Sequence, residues 1–165
     1  MVDLILGLEE DDGYSLVKYQ AVPKKLRPHL MAHAAQGGAL LVSGAYIGKD
    51  MTSQQDKAFL ANLLKCDYGG THTDYLERDT IQGMGTTFTF HRQPNGVHYA
   101  AQHPDVLLPI APAYPAMAYS NLQSACVAYN GNDYRALTIG FPFECIKSKQ
   151  IQGVLMRGIL AFLLQ

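Results

Sequence analysis

The chain has 165 residues, 48% hydrophobic and only 16% charged, enough for one globular domain to bury roughly two-thirds of its unfolded surface without disulfides or a metal. That composition excludes a disordered chain. With 13 basic and 14 acidic residues the net charge is −1, so nothing draws the chain to a nucleic-acid backbone or an anionic membrane, and nucleic acid is not an expected partner.

Val2 to Leu8 is short and almost continuously apolar, which predicts a strand buried on both faces, as in a parallel sheet. It has no basic leader and ends at Glu9-Glu10-Asp11-Asp12-Gly13, too soon for a signal peptide. From Pro23 to Gln36, Leu26, Leu30, Met31 and Ala34 recur at helical spacing, and Gly37-Gly38 supplies the stop. Ala39 to Val42 is a second apolar run that breaks at Ser43-Gly44, so strand, helix and strand form a βαβ unit. Ser53 caps a helix running to Lys65, its hydroxyl accepting from the Asp56 amide. Phe59, Leu60, Leu63 and Leu64 give that helix one apolar stripe.

Thr86 to His91 alternates with period two and Val97 to Ala101 answers it across Gln93-Pro94-Asn95-Gly96, predicting a hairpin that pairs Gln93 with Val97 and Arg92 with His98. Four prolines between His103 and Pro115 predict an ordered, irregular surface crossing. Ala125 to Tyr129 and Tyr134 to Gly140 flank Asn130-Gly131-Asn132-Asp133, a second hairpin. Ser148 opens a helix to Leu164 with Ile151, Leu155, Ile159, Phe162 and Leu163 at three- and four-residue steps. Gln152, Arg157 and two glycines interrupt it, so it falls short of the ~20 apolar residues of a membrane span.

Three stretches together carry a resemblance: Val2 to Glu9, Gly37 to Gly48, and Ile139-Gly140-Phe141-Pro142-Phe143-Glu144-Cys145-Ile146 before the terminal helix. The chain resembles the class I glutamine amidotransferase-like, flavodoxin-like domain of exported bacterial proteins labelled xanthan lyase or N-acetylmuramoyl-L-alanine amidase. The resemblance implies an α/β three-layer sandwich whose sheet is mostly parallel with antiparallel hairpin additions. It also implies other domains of a multidomain parent as partners, and export of that parent to the periplasm or cell surface. The activity in those labels does not follow from the fold. Members of that family have strands before the point at which this sequence opens, so one α/β domain over residues 1–165, excised from or shorter than its parent, is expected.

Catalytic amidotransferases present a cysteine on a tight, glycine-flanked strand-to-helix turn. Here that turn is Gly44-Ala45-Tyr46-Ile47-Gly48, without a cysteine. Cys66, Cys126 and Cys145 are widely spaced and read as buried, reduced small hydrophobes. His29 and His33 share a helix face but lack a third ligand nearby, so no metal site is expected. The acidic run after the first strand would repel a phosphate, which excludes a flavin, and no cofactor is expected. What remains are acids at predicted strand ends: Glu9 and Glu10 after the first, Asp50 after the second and Glu144 after the Gly-Phe-Pro-Phe-Glu segment. The leading expectation is a non-catalytic accessory or interaction module of a cell-wall or polysaccharide-processing protein. The rival is a carboxylate-dependent hydrolase or lyase acting on a glycan or peptidoglycan bond through Glu9, Asp50 and Glu144. In that case Glu10 and Tyr46 would line the ligand, with carbohydrate as partner.

Overall fold

A computed structural model of the chain describes residues 1–10, 13–14, 16, 19–73, 80–91, 93–94, 96–97 and 99–165. The elements run β1 (Val2–Gly7), α1 (Arg27–Ala35), β2 (Leu40–Gly44), α2 (Gln54–Phe59), a π-helical turn (Leu60–Leu64), β3 (Cys66–Thr71), β4 (Ile81–Gly83) and β5 (Thr86–Phe88). There follow β6 (Asp105–Pro109), β7 (Tyr114–Tyr119), β8 (Ser124–Asn130), β9 (Arg135–Ile139), a 3-10 turn (Phe143–Cys145) and α3 (Lys149–Leu163). Among the described residues seven strands form one sheet in the order β1-β2-β9-β8-β7-β4-β5, and β3 pairs β6 in a second sheet.

The expected βαβ unit is present, since β1 pairs β2 in parallel with Leu4 beside Val42. β2 in turn pairs β9 in parallel. Every other strand pairing among the described residues is antiparallel, so the sheet is mixed, and the mostly parallel, flavodoxin-like sheet expected from the sequence is corrected. Strand alternation sends neighbouring residues to opposite faces. Leu40 and Val42 of β2 pack with Leu30 and Ala34 of α1 and with Phe59 of α2. Leu41 packs with Leu137 and Ile139 of β9 and with Leu155, Ile159 and Leu163 of α3. Helices therefore cover both faces.

The helix ends follow local chemistry. Ser53 and Asp56 form a capping box, each side chain accepting from the other's amide at 3.1 Å. Ser148 Oγ accepts from the Ile151 amide at 3.3 Å and starts α3 as expected. The helix expected to run to Lys65 does reach it, but its last turn widens to π geometry. Such widening leaves carbonyls without their usual partners. Here the Tyr134 hydroxyl donates to them, 2.8 Å from Leu63 O and 3.1 Å from Asn62 O. The second hairpin also forms as expected, with Asn130 opposite Arg135 and Tyr129 opposite Ala136.

Three other expectations are corrected. Among the described residues β1 pairs only β2 and stands at the sheet edge, with Ile5 63% exposed, so it is not buried on both faces. The proline-rich crossing contains β6, because its prolines 104 and 109 fall at or beside the strand ends and leave Val106 to Leu108 free to pair with β3. Thr86–Phe88 pairs back onto Ile81–Gly83, while in the expected second arm the Ala101 amide donates to His91 O at 2.7 Å. The predicted Arg92–His98 pairing lies outside the described residues. All three cysteines are buried and free, with Cys126 opposite Ile139. Among the described residues no helix is long and apolar enough to cross a membrane.

Candidate functional site

β2 leads into α2 on one face of the sheet and β9 into α3 on the other. Where adjacent parallel strands diverge in this way, open α/β sheets leave a crevice beyond their carboxyl ends. In this chain the crevice is occupied by β6. The Asp105 amide donates to Gly140 O, at the end of β9, at 2.7 Å. Its carboxylate Oδ2 accepts from the Gly48 amide, in the turn after β2, at 2.5 Å, and from the Lys49 amide. From β7 the Tyr119 hydroxyl donates to Asp105 O at 2.9 Å. Asp105 is fully buried, and its Oδ1 has no hydrogen-bond partner among the described residues.

Both flanking glycines leave room for a close neighbour. A Cβ on Gly140 would stand 2.3 Å from Asp105 O, and one on Gly48 2.8 Å from the Tyr68 ring of β3. Between Gly44 and Gly48 the backbone turns so sharply that Tyr46 takes φ 62°, a conformation that costs a bulky residue energy and persists only where its surroundings enforce it. Those surroundings include Ala45 N donating to Gly7 O at 2.9 Å and Asp50 N to Tyr46 O at 3.1 Å.

Around Tyr46 the structure gathers Glu10, Asp50 and Asp105. Burial pushes the Tyr46 phenol up to about 12, and the hydrogen bond with Glu10 and the charges of Glu10, Asp105 and Asp50 reinforce the shift. The Lys49 ammonium lies 4.6 Å from the Tyr46 ring centroid and 3.5 Å from Glu10 Oε2. Asp50 is engaged structurally: its Oδ2 accepts from the Ala21 amide at 2.9 Å. Burial pushes the Asp105 carboxyl up to about 7, against the opposing hydrogen bonds from the Gly48 and Lys49 amides. Sequence reasoning missed Asp105. The signal available was an acid heading the apolar run Val106-Leu107-Leu108.

The other two predicted acids make different contacts. Glu9 is exposed and its amide donates to Leu6 O at 3.1 Å. Glu144 sits on the 3-10 turn, where its Oε1 accepts from the Tyr99 hydroxyl beside Gly7 and its Oε2 has no partner among the described residues. The last helix is capped by Ser148, four residues further on. Burial raises the Glu144 carboxyl and the nearby Asp3 adds to the rise. An acid whose folded pKa is raised loses stability as pH climbs above its unfolded value. Glu144→Gln is therefore expected to keep or slightly raise the melting temperature at pH 7 and to lose that advantage at pH 4. Calorimetry at both pH values checks this, and a clear loss at pH 7 contradicts it.

His29 is exposed and His33 Nε2 lies 3.3 Å from Ala39 O. Among the described residues no group of three His, Cys, Asp or Glu could hold a metal ion.

No family model matches the chain, and no curated protein matches it. Solved structures do. Gan42B, a GH42 beta-galactosidase from G. stearothermophilus, aligns with TM-score 0.59 and 16% identity over 85% of this chain. A beta-galactosidase from the haloarchaeon Halorubrum lacusprofundi aligns with TM-score 0.56 and 19% identity over 86%. Op5Man5, an exo-beta-1,4-mannosidase from Opitutaceae bacterium strain TAV5, aligns with TM-score 0.55 and 12% identity over 86%. The chain spans 20% of both beta-galactosidases and 24% of the mannosidase. At these identities the likeness concerns the fold alone, and it corrects the amidotransferase-like resemblance: the similar folds are parts of glycosidases, and the seven-stranded sheet of this chain is mixed.

Proposed function

We propose that residues 1–165 are one non-catalytic domain of a larger carbohydrate-processing protein, acting by contact with the other domains of that protein. The observation that carries this reading is the occupied crevice. Where an α/β domain of this topology would take a ligand, the backbone and carboxylate of Asp105 already bond to Gly140 and Gly48. Asp50 is likewise engaged by the Ala21 amide. The likeness to one fifth of two beta-galactosidases supports a glycan-related parent. Export of that parent is proposed with it, and fractionation of the full-length protein tests it.

A second reading has one observation in its favour. Glu144 is half-buried, its carboxyl is raised, and Tyr99 is bonded to it, which suits a general acid in hydrolysis or elimination at a glycan or peptidoglycan bond. The 165-residue chain assayed against p-nitrophenyl β-galactoside and β-mannoside, and against peptidoglycan, separates the two. The accessory reading expects no turnover above buffer. Turnover abolished by Glu144→Gln, or by substitution of Glu9, Glu10, Asp50 or Tyr46, would replace it with the enzyme.

A further inference from the structure

Asp105 ties together the turn after β2, the end of β9 and β7 from outside their sheet. Its amide holds the end of β9, its Oδ2 holds the turn after β2, and its carbonyl is held by Tyr119 of β7. All of this happens at zero exposure, with Oδ1 facing no donor among the described residues. A carboxylate in such a place has lost its water and gained only two backbone donors, so the neutral acid is the form that the closed arrangement favours.

The neighbouring charges act in both directions. From the turn after β2, Asp50 adds like charge and Lys49 opposes it. Tyr46, on the same turn, has its own ionisation suppressed first by burial and then by Glu10, Asp105 and Asp50. From β3 the buried Cys66 thiol is pushed up chiefly by burial and then by the charges of Asp105 and Asp67. From β7 Tyr119 faces Asp105 with its hydroxyl and carries His72 stacked on its ring at 4.0 Å. His103 precedes β6 with its ring 6.0 Å from that of Tyr46.

We propose that Asp105 is a pH-operated clasp that holds the Tyr46 turn against the end of β9 most firmly in acid and lets it open locally as the pH rises to neutrality. The sign follows from linkage. When the clasp opens, Asp105 meets water and ionises at its ordinary value near 4, whereas in the closed form burial pushes it up to about 7. Opening therefore becomes easier with every step of pH between those values and levels off above the upper one. Below about 4 both forms are protonated and the clasp no longer responds.

Amide hydrogen exchange of the wild-type chain, corrected for the intrinsic rate at each pH, reads this directly. The Gly48 and Lys49 amides are expected to lose at least about tenfold in protection from pH 5 to pH 7 and to change little from pH 7 to 8.5. They should also exchange faster than the Val127 amide in the sheet centre, which marks the opening as local. Asp105→Asn is expected to flatten the profile, and His103→Asn to leave it in place. A flat wild-type profile overturns the clasp. So does a fall in protection that persists in Asp105→Asn or disappears in His103→Asn, and so does protection at Gly48 and Lys49 equal to that at Val127 throughout. If Asp105→Asn does not fold, the wild-type and His103→Asn profiles decide the matter.

Discussion

Arg27→Met is expected to lower the melting temperature by on the order of 10 °C, the product of about 3–5 kcal/mol of lost stability and about 2–4 °C per kcal/mol for a domain of this size. Arg27 and Asp56 form a buried pair 2.5 Å apart, with side chains 9% and 2% exposed. The guanidinium also donates to Val22 O at 3.1 Å and to Gln20 Oε1 at 3.0 Å, and lies over the Phe59 ring. Methionine fills a similar volume but leaves the Asp56 charge in place without its cation. The cost is therefore that of an uncompensated buried charge more than of lost packing. Burial by itself would raise the Asp56 carboxyl, but hydrogen bonds from Ser53, Arg27 and Gln20 hold it well below the usual carboxylate range. A carboxyl lowered in the folded state contributes stability that is present above its unfolded value, near 4, and lost as pH falls through the folded one. The wild-type and variant melting curves, followed by circular dichroism, should thus differ most at pH 6–7 and converge in strong acid. A neutral-pH difference under about 2 °C would refute the argument.

Gly140→Ala is expected to cost about 2–4 kcal/mol, the sum of overpacking and of a strained hydrogen bond. The neighbour that its methyl group would meet at 2.3 Å is backbone, the carbonyl oxygen of Asp105. Neither partner can yield, because Gly140 N donates to Ala125 O at 2.9 Å and Gly140 O accepts from Asp105 N at 2.7 Å. Room is what this position demands, so alanine fails although its backbone preferences suit the site. Gly96→Ala is the control: nothing lies within 4 Å of the added atom, and its effect should stay within about 0.5 kcal/mol. Urea denaturation of both variants measures the contrast, and equal midpoints would show that β6 can retreat from β9.

What was legible in the sequence was what short-range chemistry decides. Ser53 with Asp56, Ser148 with the apolar stripe through Leu155 and Ile159, and the Asn130 turn each announce their element within a few residues, and each stands as expected. β3 was not legible, because Gly69 and Gly70 break its alternation, and Gly70 takes φ 113° at an irregularity in the β3–β6 register. β6 was hidden by its prolines. The pairing of Thr86–Phe88 depends on which of two nearby segments reaches it first, a tertiary matter on which period-two alternation is silent.

The site was half legible for the same reason. Strand ends can be located from apolar runs, and so Glu10, Tyr46 and Asp50 were found together. What fills the space between two strand ends depends on a segment about 60 residues later in the chain, beyond the range of any local pattern.

The central pairing of β2 with β9 also constrains how the molecule is made. Leu41 meets Leu137, so the middle of the large sheet cannot zip until a loop of roughly 100 residues has closed. Long-range parallel pairing of this kind is slow compared with hairpin formation. The β8–β9 hairpin can form within its own few residues and wait with its Cys126–Ala128 face uncovered, while β1 and β2 wait with theirs. α3, whose Leu155 and Ile159 share one buried cluster with Leu41 and Leu137, closes over the seam at which the early and late parts of the chain meet.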